Sequence, residues 1–283
     1  MASGKHGERP GRAETRRRFA EEARSERPDL ALLCLLVAAE ADPDLDTAGT
    51  DVAQIELDRL AGLLPYGLRG AHAWASALAE LLGERCGFEG SSAEYQRLES
   101  SLLHEVLRRR RGLPILLSVV WIEVARRAGA PVYGVALPGH FVVGFGDPAE
   151  QVLADPFAGG RPLTGQDAEL LVTGATGEAL EPSMLVPARP LEIVLRILNN
   201  IRAWAAARPE RTDVALWAVE LSLLLPSHPA SLRYEHAQLL VQSGDFLRGA
   251  AEMEEYAEVV EEVEPAAAEV VRRRARAARS LLN

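Results

Sequence analysis

Two side chains in the middle of the chain have the types and spacing for acid–base chemistry. His140 heads an apolar run in "LPGHFVVGF" (137–145), and Asp155 ends "VLAD" (152–155). A carboxylate at one ring nitrogen of a histidine fixes its tautomer and raises the basicity of the other, which a general base beside a nucleophile requires. If residues 146–149 form a four-residue hairpin loop, Phe145 pairs with Glu150 and the register sets His140 directly opposite Asp155. Cβ atoms so opposed stand about 4.5–5.5 Å apart on one face. Alternation sends Phe141, Val143 and Phe145 to the other face with Val152 and Ala154, so the most apolar face is expected not to carry His140. The spacing alone fits an ordinary core or surface histidine equally well.

The hairpin needs a scaffold, and the flanking texture supplies one. "LPILLSVVWIEVARRAGAP" reads as a buried helix that Pro114 starts, since proline in the first turn gives up an amide with no partner there; Gly129 and Pro131 stop it. Short β-rich pieces follow, "VYGVALP", "HFVVGF", "VLADPF" and "AGGRPLT", predicting a helix feeding a small antiparallel sheet. Before it, four stretches have apolar residues three or four apart and end near Gly or Pro: "PDLALLCLLVAAEADPDLD", "DVAQIELDRLAGLLP", "AHAWASALAELLGERCGF" and "SAEYQRLESSLLHEVLRRRR". They predict a helical bundle or cap. The first fifteen residues, polar and without apolar period, read as a disordered tail.

From Pro190 the pattern is helical to the end. "PLEIVLRILNNIRAWAAARPE" and "TDVALWAVELSLLLPSHP" are expected to pair, as are "ASLRYEHAQLLVQSGD" and "FLRGAAEMEEYAEVVEEVEP", with "AAAEVVRRRARAARSLL" closing the array. Ala215 and Gly249 occupy equivalent small positions at the tetratricopeptide period, and a plain helical bundle is the competing account. The expected organisation is a tail over 1–15, an α+β domain over 16–187 and a helical region over 188–283.

The 283-residue chain is 48% apolar with a net charge of −10, enough for a real core and unfavourable to a nucleic-acid or anionic-membrane partner. The arginine clusters at 16–18, 108–111 and 272–279 are flanked by acids and read as solvated helix faces and ends. No apolar run is long enough to span a membrane. Two cysteines without ligand or disulfide spacing point to a reducing, cytoplasmic setting. The six histidines are dispersed, so neither a metal nor a cofactor is expected.

The linked motifs "RRGLP", "EVARRAGAP", "GVALPGHFVV" and "LADPFAGG" resemble the transglutaminase-like domain of bacterial SirB-type proteins, whose C-terminal part carries tetratricopeptide-like helices. The resemblance runs from about Leu30 to the closing helix and is strongest from Val106 to Gly160. It implies a papain-like α+β core with a helical N-terminal cap, and it places His140 and Asp155 on the His and Asp of a Cys-His-Asp triad, with Pro156 matching the Asp-Pro that follows. In active relatives a cysteine opens the buried helix two residues after a glycine. Counting from Gly112, that position holds Pro114, which has no attacking atom. Losing a triad nucleophile costs on the order of a millionfold in turnover. Ser118, one turn further, is the candidate substitute, but its Oγ starts roughly 6 Å along the axis, too far for the usual contact with the base. Cys34, inside an apolar run, and Cys86, at a helix end, read as structural. His104 lies near the site by sequence order. Relatives also carry an Asn-rich stretch where this chain has "LESSLLHEV".

The expected function is that of a non-catalytic, degenerate transglutaminase-like scaffold, possessing a helical-repeat arm that binds a protein or peptide partner. The alternative is a hydrolase or acyltransferase in which the His140–Asp155 dyad activates water or Ser118. Direct DNA contact has neither the charge nor a helix-turn-helix signature behind it.

Overall fold

Pro114, Gly129 and Pro131 bracket the helix around which the first part of the chain is built. The computed structural model describes residues 10–281. Pro114 takes the first position of α6 (Pro114–Arg127), which is buried from Pro114 to Ala125. Gly129, at φ 87°, turns the chain so that the Ala130 amide reaches back to the Ala125 carbonyl at 2.9 Å and closes the helix.

Among the described residues five α-helices precede it: α1 (Pro10–Ala23), α2 (Leu30–Ala41), α3 (Thr47–Ala61), α4 (Ala71–Leu78) and α5 (Leu103–Arg109). Two differ from the expectations. The tail anticipated over 1–15 is helical from Pro10, and residues 1–9 lie outside the described residues. Here α1 is held by Arg12 and Arg16, which pair with the fully buried Glu40 of α2 at 3.3 and 2.7 Å, and by Phe19 in the core. The fourth anticipated helix is instead two 3-10 turns, Ser92–Gln96 and Leu98–Ser101, followed by α5. Its serines explain this: Ser100 Oγ donates to Glu94 Oε2 at 2.5 Å and Arg109 bonds both, a buried network that a continuous helix would break. Arg110 pairs with Glu56 and Arg111 with Glu89, both at 2.8 Å, so these arginines tie separate segments together, while exposed Arg108 pairs with Glu105 along α5 as a solvated helix face would.

The sheet has five antiparallel strands in the order β4-β3-β2-β1-β5, with β1 Val132–Val135, β2 Val142–Phe145, β3 Val152–Asp155, β4 Arg161–Leu163 and β5 Pro187–Ala188. In the β2–β3 hairpin Phe145 faces Val152 and Val143 faces Ala154, a register two residues away from the anticipated one. The loop is longer because the Gly146 amide still bonds Pro131 on the β1 side, at 2.9 Å, and Asp147 then caps a 3-10 turn over Pro148–Glu150. A two-residue shift preserves the faces. Phe141, Val143, Phe145 and Ala154 are buried on the side of α6. The opposite side is apolar as well, because α7 (Gly165–Thr176) and the segment after it cover Val135, Val142 and Leu153 with Ala168 and Val172. That helix was not anticipated. Its start is a capping box between Thr164 and Asp167.

Asp155 is followed by a 3-10 turn, Pro156–Ala158, that rests on the end of α4, where the helix continues over Ala79–Arg85 with wider i→i+5 bonding. A Cβ on Gly83 would fall 1.9 Å from the Gly159 carbonyl oxygen, and one on Gly90 would fall 1.9 Å from the Phe157 ring.

The chain divides into two compact units, one ending at Ile197 and one beginning at Leu198. The division lies inside α8 (Pro190–Ala206). In the second unit α9 (Thr212–Leu224) packs on α10 (Ser231–Gln242), α10 on α11 (Phe246–Glu261), and α11 on α12 (Pro265–Ser280). Small residues set these spacings: a Cβ on Gly249 would lie 2.7 Å from the Ala237 carbonyl oxygen, so α11 crosses α10 at close range. Ala250, Ala257, Ala268 and Ala275 complete that core around Met253.

Candidate functional site

His140 and Asp155 meet. Nε2 of the ring stands 3.0 Å from Asp155 Oδ1, with both side chains about nine-tenths buried. The contact is diagonal, not the direct opposition expected, because β2 begins at Val142 and His140 lies in the turn before it. Each partner is fixed by its own segment. The same Asp155 Oδ1 accepts the Phe157 amide at 2.9 Å, and the Asp155 carbonyl accepts the Gly160 amide at 2.8 Å. In the turn before β2 the His140 amide bonds the Leu137 carbonyl at 3.2 Å, and Gly139 takes φ 72°. One guanidinium nitrogen of Arg196 donates to the Leu137 and His140 carbonyls, both at 2.7 Å, while the group lies 5.5 Å from the Phe141 ring centre.

The imidazole stands edge-to-face with Phe157, centroids 5.9 Å apart, and Phe157 stands likewise against Tyr95 at 6.2 Å. Burial raises the Tyr95 phenol above its ordinary value, nearby Asp155 raises it further, and Arg196 opposes them. Burial also lowers the Arg196 guanidinium from its usual range. Tyr95, Phe157 and Arg196 thus join the pair although the sequence reading missed them. Phe157 was within reach, two residues after Asp155. Tyr95 and Arg196 come from segments with no motif to mark them.

With Nε2 committed to Asp155, Nδ1 is the nitrogen left for other use, and it has no hydrogen-bond partner among the described residues. Pro114 opens α6 with a ring that carries neither donor nor nucleophile. Ser118 is fully buried one turn on, and its Oγ donates to the Phe141 carbonyl at 3.3 Å. Cys34 is buried, which pushes its thiol far above the range where thiolate forms, and Cys86 lies at a helix C-terminus. His104 is engaged elsewhere, 3.1 Å from Asp42 after α2. Among the described residues no three His, Cys, Asp or Glu side chains are grouped to hold a metal ion, and no helix is long and apolar enough to cross a membrane.

A second candidate lies within the second unit. A groove of about 410 Å³ runs between α8 and α10, lined by Asn199, Arg202 and Ala206 on one side and Leu232 and Glu235 on the other. It adjoins a space reaching Thr212 and Ala215 of α9 and Leu239. Arg202 Nε donates to Glu235 Oε1 at 2.9 Å across it.

Comparison with known proteins places these features in a family. Residues 33–199 match the family model described as transglutaminase-like superfamily, and residues 201–283 match a tetratricopeptide repeat model. A "UPF0162 protein" of Xylella fastidiosa (strain Temecula1) is 35% identical over 210 residues, covering 70% of this chain and 73% of that one. "UPF0162 protein PA3419" of Pseudomonas aeruginosa is 34% identical, with coverage of 65% and 68%. Mouse "F-box only protein 21" is 25% identical over 54% of this chain and 25% of its own length.

Proposed function

Given that the chain belongs to the transglutaminase-like superfamily and continues into tetratricopeptide repeats, we propose that it acts as a non-catalytic scaffold whose helical region binds a protein partner. The observation that carries this reading is Pro114 at the head of α6. On the resemblance drawn above, that is the nucleophile's place, and Ser118 has its hydroxyl spent on a backbone carbonyl. His140 and Asp155 then remain as a brace across the hairpin, worth about 1.5–3 kcal/mol for a charge-assisted bond. The groove of the second unit offers a concave surface of the kind that takes an extended or helical peptide. A cytoplasmic, reducing setting fits two free cysteines.

The test is affinity capture with the full chain beside two variants. Ala206→Arg fills the groove, and His140→Ala removes the imidazole. A specific partner lost with the first and kept with the second supports the scaffold. A partner kept by both, or none at all, counts against it.

The open Nδ1 of His140 favours a second reading, a hydrolase or acyltransferase in which the dyad activates water. Turnover of acyl or amide substrates that disappears in His140→Ala establishes it, and turnover unchanged in that variant ends it.

A further inference from the structure

His236, at the middle of α10, is 5% exposed and lies between carboxylates of the two flanking helices. Nδ1 hydrogen-bonds Oε2 of Glu252 on α11, and Nε2 lies 3.6 Å from Oε1 of Glu220 on α9. Arg248, also on α11, backs Glu252 at 3.1 Å. Of the neighbouring charged groups, Glu235 turns to Arg202 of α8, and Tyr234 accepts a bond from Arg274 of α12. Two acids therefore flank the ring, one bonded to Nδ1 and the other just beyond hydrogen-bond reach of Nε2, which is buried without a hydrogen-bond partner among the described residues.

The chemistry of imidazole makes this arrangement depend on a proton. A neutral ring has one N–H. Given to Glu252, it leaves the lone pair of Nε2 pointed at the Glu220 carboxylate, whereas the protonated ring has a donor for each. Burial alone would lower the histidine's proton affinity, but Glu220 and Glu252 outweigh it and raise it above its ordinary value of 6.5. The ring therefore joins three helices in the charged form and two in the neutral one. Ser231, Leu232 and Glu235 of α10 are also walls of the groove, and Leu239 of α10 with Thr212 and Ala215 of α9 line the space it adjoins.

We propose that proton occupancy of His236 regulates the groove: the protonated ring locks α9, α10 and α11 in the binding-competent form, and proton loss frees α10 and weakens partner binding. The link to binding rests on the reading of the groove given above; the lock itself does not.

The experiment uses the full chain in a Cys86→Ser background with nitroxide labels on Ala207 and Ser243, beyond the ends of α8 and α10. Label distances are measured from pH 6 to 9 by pulsed electron resonance, and the His236 ring is titrated by NMR. The expected result is one narrow distance population at pH 6 that broadens as His236 loses its proton. Stability contributed by the lock is complete below about pH 6.5 and falls as pH rises through the raised folded value. Glu220→Gln should move the titration and the broadening down together by about one pH unit, a tenfold loss in proton affinity. In His236→Gln the population should not change with pH. The lock is overturned if distances stay constant through the measured titration, or if His236→Gln broadens at the same pH as the parent. Broadening on schedule with no partner captured at any pH supports the lock and overturns the groove reading instead.

Discussion

Among the described residues three histidines meet a carboxylate, and two of them, His140 and His236, are set up for different work. His140 gives Nε2 to Asp155 and keeps Nδ1 without a hydrogen-bond partner among the described residues, in a turn pinned by Arg196. His236 has a carboxylate at each nitrogen and sits within a helix whose neighbours supply them. One ring is oriented with a nitrogen in reserve, as a reacting site or its remnant requires. The other is bonded at Nδ1 alone among the described residues, and its buried Nε2 faces a carboxylate just beyond hydrogen-bond reach, as a tie that closes on protonation requires. A histidine beside an acid is therefore not a functional signal in itself; what the second nitrogen faces decides its use.

Substitutions can break or sharpen that contrast. The largest effect is expected from His236→Ala at pH 6, which removes the buried charged ring and its bond to Glu252 and should cost about 3 kcal/mol in urea denaturation. The loss should shrink toward pH 9. Asp155→Ala follows at about 2 kcal/mol, and it should exceed His140→Ala because the Phe157 amide also loses its acceptor. Arg196→Ala should cost about 1–2 kcal/mol and show as faster amide exchange over residues 137–141, whose carbonyl anchors it removes. Ser118→Ala should be smallest, under about 1 kcal/mol by the same denaturation, since its bond to Phe141 is long. A Ser118→Ala loss larger than that of Asp155→Ala would reverse the assignment of the hairpin's anchor.

Much of the architecture was legible because it rests on local rules. Pro114 and Gly129 mark α6 through the missing amide of one and the positive φ of the other, and the period-2 pattern gave the faces of β2 and β3 correctly. The loop between them was misjudged by two residues because its length depends on the Gly146 amide bonding Pro131, a contact with a different strand. The missing helix, α7, had its signal in Thr164 and Asp167 at capping-box spacing. The 3-10 turns before α5 carried a helical apolar period but also serines that compete for the backbone, and a buried Glu94–Arg109 pair decided between them. Within the site, His140 and Asp155 were readable from type and spacing. Arg196 was not, since it reaches the turn from a helix far along the chain and acts on carbonyls, which have no sequence identity.

How deep the Asp155 turn settles is governed by side chains that are not there. With nothing beyond Cα at Gly83 and room kept at Gly90, two stretches of backbone touch where most proteins interpose a layer of methyl groups. An alanine at Gly83 would act as a shim, lifting the turn and swinging the acid away from its imidazole without altering either residue. Tolerance to substitution near this site should therefore be lowest at positions that carry no chemistry at all.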